Sequence, residues 1–133
     1  MPFHAGQSYL FPINIDNQRA HLWAIATEPN QDGAFATVSF TSLKGAKDQT
    51  VVFRKDEHPF LKWDTCILYQ LAEITDTATL QAKLDAASAK MHQDMAPAML
   101  QLILDGFTAS DFTKNRVRDF VRQYKLLAKA HKA

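Results

Sequence analysis

Two apolar runs, His21–Thr27 and Ala34–Phe40, flank the polar connection Glu28–Gly33, and this arrangement constrains the fold more than any other part of the chain. Each run has the length of a strand and is too short for a self-standing helix. The connection holds Pro29, Asn30, Asp32 and Gly33. These residue types supply a fixed φ, side-chain-capped turns and a tolerated positive φ. The reading is an antiparallel hairpin. Its strands are apolar on both sides of the pleat, so they belong at the centre of a compact sheet or small barrel. The hairpin runs into the hydroxyls of Thr41 and Ser42, and Arg19 and His21 open it. An active site can be built where those two ends meet.

The rest of the first 75 residues continues in short β segments, five or six in all. Gly6–Ile13 reads as a glycine-led strand that Pro12 limits to a sheet edge. Ile13–Gln18 alternates weakly and ends in a polar turn. Lys44–Gln49 is a polar loop with two lysines, Thr50–Phe53 a short β-rich run, and Arg54–Pro59 a charged break. Thr65–Tyr69 restores the strand pattern. The chain then changes period. Asp76 and Thr77 are capping types, and Leu80, Leu84, Ala87 and Met91 recur at helical spacing. A second helix is expected from about Asp94–Pro97 to Asp105–Gly106. A third, capped by Ser110 or Asp111, carries Val117, Phe120, Val121, Tyr124, Leu127 and Ala128 as one stripe. Strands first and helices after imply a single α+β domain over residues 1–133, with a β part (1–75) and a helical part (76–133).

Composition narrows the classes further. A chain of 133 residues with 47% hydrophobic and 22% charged residues can bury a core, which argues against disorder. The one cysteine, Cys66, has no internal partner, so a reducing cytoplasm is expected. No apolar run reaches about 18 residues, so no membrane span is expected. Met1–His4 lacks a basic stretch followed by an apolar one, so no secretory signal is expected either. Net charge is +1, but seven basic residues against two acidic from Ser110 onward make a local +5 and leave −4 before it. Such a tail can meet nucleic acid or an acidic partner, or simply be a solvated helix face.

Three strings, taken in order, resemble the MazF/PemK-like toxin endoribonucleases of bacterial toxin–antitoxin systems. Gly6-Gln7-Ser8-Tyr9 is similar to that family's opening strand. Leu22–Thr27 followed by Ala36–Ser42 resembles its second and third strands. Asp64-Thr65-Cys66-Ile67-Leu68 resembles the strand before its glutamine-containing turn into a helix, with Gln70 near that glutamine. His58-Pro59-Phe60-Leu61 is similar to a segment of one PemK-like branch. The likeness spans about residues 6–76, and it is the order of the strings that carries it. Arg19-Ala20-His21 stands where members usually have Arg-Pro, and Glu73 stands near their helix-entering arginine.

The resemblance implies a small SH3-like β-barrel followed by about three helices. It also implies a cytoplasmic homodimer with a cognate antitoxin, and metal-independent cleavage of single-stranded RNA without a cofactor. Such hydrolase chemistry needs a base for the 2′-OH proton, an acid for the 5′-oxygen and a cation for the phosphorane. The resemblance assigns catalysis to Arg19, His21 and Thr41, and substrate contact to Ser42, Lys44, His58 and Trp63. Arg19 would be the fixed cation, His21 the proton carrier and Thr41 a donor to the scissile phosphate, with His58 an acid partner for His21. Each has a plainer reading: a surface histidine, a solvated arginine, a strand-end hydroxyl, a turn histidine. Cys66, between strand residues, reads as an inert buried thiol. Trp23, Phe35, Phe53 and Phe60 read as core packing plus a dimer face rather than as base-stacking platforms, and Trp63 as a loop residue able to stack on bases. A rival function is a non-catalytic SH3-like barrel module, phage- or mobile-element-encoded, that binds a protein or nucleic acid.

Overall fold

The structure is a computed structural model that describes residues 3–12, 20–58 and 61–132, without the side chains of residues 12, 20 and 129–132. Arg19, the turn expected at Ile13–Gln18, and Pro59 and Phe60 lie outside the described residues. The described chain is α+β, as its period change implies. Strands β1 (Ser8–Pro12), β2 (Ala20–Ile25), β3 (Ala34–Ser42), β4 (Val52–Phe53) and β5 (Thr65–Asp76) precede α1 (Thr77–Asp85). A short β6 (Lys90–Met91), α2 (Pro97–Ala109) and α3 (Asn115–Lys132) follow.

The β2–β3 hairpin lies at the centre of the sheet, whose order is β4-β5-β3-β2-β1-β6, with antiparallel pairing throughout the described residues. Its turn uses the residues expected of it. Asn30 Oδ1 accepts the amides of Asp32 and Ala34, both at 2.9 Å. Gly33 turns at φ +81°, where an added Cβ would sit 2.8 Å from Thr77 Oγ1. Both faces of β3 are buried. Ala36, Val38 and Phe40 join Leu22, Ile67 and Tyr69 under α2 and α3. Phe35, on the other face, joins Tyr9, Trp23, Ile25 and Leu80. Thr37 is tolerated in that second layer because its hydroxyl donates to Ala24 O at 2.8 Å and accepts from Tyr9 at 2.7 Å.

Several expectations shift. Pro12 ends a strand that is not an edge: β6 pairs with Tyr9 and Leu10 on the side away from β2. The helix expected to reach Met91 stops at Asp85, and Ala87 takes φ +59°. The chain then reverses, so Met91 adds to the sheet. α2 runs through Gly106 to Ala109 instead of stopping there, since Gly106 serves packing. α3 begins at Asn115, not at Ser110 or Asp111, because Ser110 is occupied as the C-cap of α2. The stripe on α3 is buried at Val117 and Val121, but Leu127 is exposed.

Among the described residues the sheet does not close into a barrel: β4 and β6 end it without pairing. Side chains draw the two ends together instead. His58, after β4, donates from Nε2 to Gln93 O at 3.4 Å and lies 5.5 Å from the His92 ring, just after β6. Ser8 also donates to Gln93 O.

Candidate functional site

Strand β5 is where the pattern breaks. β3 residues Ala34–Thr37 pair with Glu73–Asp76, and Ser39–Ser42 with Thr65–Leu68. One β3 residue, Val38, therefore faces four on β5, Tyr69–Ala72. Tyr69 keeps the core-facing alternation of Ile67, the bulge shifts the phase so that Ala72 enters the core as well, and Gln70 is exposed. Re-aiming a side chain is what bulges do beside functional sites. Gln70 then faces the loop that follows β3, and between them lies a hollow of about 250 Å³.

The hollow is lined by Thr41, Ser42, Lys44, Lys47, Leu68, Gln70 and Phe112, with Asp48 buried beneath. Thr41 and Ser42 end β3, and the Lys44 amide donates to Ser42 Oγ at 3.3 Å. Gly45 turns the loop at φ +77°, in open space where an added Cβ would meet nothing within 4 Å. Asp48 returns the loop to the body. Its Oδ1 accepts the Thr50 amide at 3.1 Å and the Thr50 hydroxyl at 2.7 Å, while Oδ2 accepts Ser110 Oγ at 2.7 Å. Both carboxylate oxygens are thus engaged, and two lysines against one aspartate leave the lining at +1.

The residues singled out by sequence divide into two groups. Thr41, Ser42 and Lys44 meet in the hollow. His21 is half-buried on β2, opposite Phe11. The β2–β3 pairing runs from Ile25↔Thr37 to Trp23↔Ser39, so His21 and Thr41 lie two residues beyond its last pair. His21 does not line the hollow. Trp63 is 61% exposed, near its lip, since the Leu43 amide donates to Asp64 O at 3.0 Å. His58 is buried at the join of the sheet ends, away from the lining, and burial with the neighbouring His92 pushes its pKa below the ordinary histidine value.

Three of the basic residues expected along α3 have partners within the protein. Arg118 Nη2 donates to Ser110 O and Thr113 O at 2.9 and 3.1 Å. Lys125 pairs with Asp105 at 2.8 Å and Arg122 with Asp119 at 3.6 Å. Cys66 is buried opposite Thr41, and burial together with Asp48 raises its thiol pKa, which makes it a poor nucleophile. No group of three or more His, Cys, Asp or Glu able to hold a metal ion occurs among the described residues. No helix among them is long and apolar enough to cross a membrane.

Sequence reasoning misses Lys47, Asp48 and Phe112 as parts of this site, and puts Gln70 only near a family position. Gln70 has a signal in the broken alternation of Tyr69-Gln70-Leu71-Ala72. Phe112 has none, because its loop reaches the hollow through long-range contacts, the packing of α2 and α3 on the sheet and the Asp48–Ser110 bond. The chain matches no protein-family model, no curated protein and no solved structure in the comparisons made with each.

Proposed function

We propose that the chain is a MazF/PemK-like endoribonuclease that binds single-stranded RNA at this hollow and cuts it by attack of a 2′-OH on the adjacent phosphate. One observation carries the reading. Thr41, Ser42, Lys44 and Lys47, from the end of β3 and the loop after it, and Gln70 of β5 line one hollow. All are donors to phosphate oxygens, and the lysines favour the phosphorane charge. His21, on the neighbouring strand β2, takes the 2′-OH proton; the new O2′–P bond forms as the P–O5′ bond breaks, and water gives a proton to the departing O5′. The products are a 2′,3′-cyclic phosphate and a 5′-hydroxyl. Arg19, one residue before β2, is the further cation.

The accompanying fold reading is an SH3-like barrel left open between β4 and β6, supported by the way His58, His92 and Gln93 bring those ends together. In this reading the protein acts in the cytoplasm as a homodimer restrained by an antitoxin. A second reading, a non-catalytic binding module, draws support from the lining itself. Among the described residues it contains no histidine, and its aspartate has both oxygens engaged.

Cleavage of a labelled single-stranded RNA by the purified protein separates the two. The enzyme reading expects cyclic-phosphate ends, with His21→Ala and Thr41→Ala each lowering the rate by about 100-fold or more while RNA binding persists. RNA binding without any cleavage by the wild type selects the module. Undiminished cleavage by both variants removes His21 and Thr41 from the mechanism.

A further inference from the structure

We infer that Phe112 is the base-stacking residue of the hollow, so that one nucleotide binds with its phosphate toward Thr41 and Lys44 and its base on the Phe112 ring. This rests on the reading of the hollow as an RNA site and adds a residue to it from the α2–α3 turn. The ring is 41% exposed although it belongs to a large apolar side chain. Trp63, Leu102, Leu126 and Leu127 are also exposed, but none of them lines the hollow.

Its mounting is fixed while the ring stays wet. The Phe112 amide donates to Ser110 Oγ at 3.1 Å, and that hydroxyl donates to Asp48 Oδ2 at 2.7 Å. Asp48 and Ser110 are buried at 4% and 1% exposure, and Arg118 holds the turn through Ser110 O and Thr113 O. The same carboxylate that ends the lysine-bearing loop therefore also anchors the backbone that carries the aromatic ring. A cationic and hydroxyl-lined wall beside a pre-positioned π-face is the pairing that single-stranded nucleic acid sites use. At about 250 Å³ the hollow suits one nucleotide unit and not a duplex. Stacking accepts any base, so Phe112 contributes affinity without strong sequence preference.

The test measures binding of a mixed-sequence RNA heptamer and of a fully abasic ribose-phosphate heptamer by anisotropy. Phe112→Ala and Phe112→Leu are expected to weaken the RNA by about ten- to a hundredfold. Phe112→Trp should restore it, and abasic binding should be unchanged in all three. Lys44→Ala should weaken both oligomers. The leucine variant keeps apolar bulk, so its unfolding midpoint guards against a merely structural loss. Wild-type RNA affinity in both Phe112→Ala and Phe112→Leu, with Lys44→Ala still impaired, overturns the stacking role and leaves the hollow as a backbone site. A wild-type protein that binds neither oligomer overturns the RNA reading itself, and the stacking role with it.

Discussion

Replacing Gly106 by alanine should destabilise the protein even though alanine is the better helix former. Gly106 lies inside α2, where the exchange alone favours the folded state by about 1 kcal/mol. The added Cβ would lie 1.9 Å from Tyr69 Oη, 2.5 Å from Tyr69 Cζ and 2.6 Å from Val51 Cγ2. Tyr69 has nowhere to go. It is fully buried, edge-on to Phe107 at 5.2 Å, and its hydroxyl donates to Ile103 O at 2.7 Å. Moving it loses that bond, about 1 kcal/mol, and overpacks the core by about 1–3 kcal/mol. The net expectation is a loss of about 1–3 kcal/mol. With a urea slope of about 2 kcal/mol/M for a chain of this size, the midpoint should fall by about 0.5–1.5 M. Tyr69→Phe should cost about 1 kcal/mol alone but little or nothing in the Gly106→Ala background, because it removes the nearest clashing atom. A Gly106→Ala midpoint equal to or above the wild type, or strict additivity of the two changes, would refute this account of the α2–sheet contact.

Three further outcomes are expected. His58 has a pKa held below its unfolded value, so the unfolded chain binds the extra proton first. Stability should therefore be full above about pH 6.5 and decline as pH falls toward the lowered folded value, with His58→Gln flattening the decline in urea melts at pH 7.5 and 5.5. Asp48→Ala deprives Ser110 and Thr50 of their shared acceptor and should cost about 2–4 kcal/mol by the same melts, with Asp48→Asn milder. Leu126→Gln with Leu127→Gln, both on exposed positions of α3, should change stability by less than about 0.5 kcal/mol each.

The legible parts of this fold are those written in local pattern. The hairpin, the Asp76 cap and Pro97 at the start of α2 follow from strand-length apolar runs and from residues with one preferred backbone role. The segment after α1 is not legible. Leu80, Leu84, Ala87 and Met91 keep helical spacing, yet only pairing with β1 makes Met91 a strand residue, and that partner lies about 80 positions away. Gly106 reads as a stop because its actual constraint is the ring of Tyr69 on another element. The site follows the same division. Thr41, Ser42 and Lys44 are near neighbours in the chain, so one stretch of sequence reveals all three. Gln70 lies at a bulge and Phe112 depends on long-range packing and a buried carboxylate, and neither leaves a sufficient mark on the nearby residues. His58 misleads for a related reason: a histidine in a charged loop reads as a turn residue or an acid partner for His21, whereas its ring is buried where the sheet ends meet.

The most direct test of the central claim is an amide chemical-shift titration of the isotopically labelled protein with a short single-stranded RNA at low and moderate salt. The account predicts that the shifts concentrate at Thr41–Lys47, Gln70 and Phe112 and weaken as salt rises. Shifts confined to the outer face of α3, around Arg116 and Arg122, with Thr41–Lys47 unmoved, would contradict it.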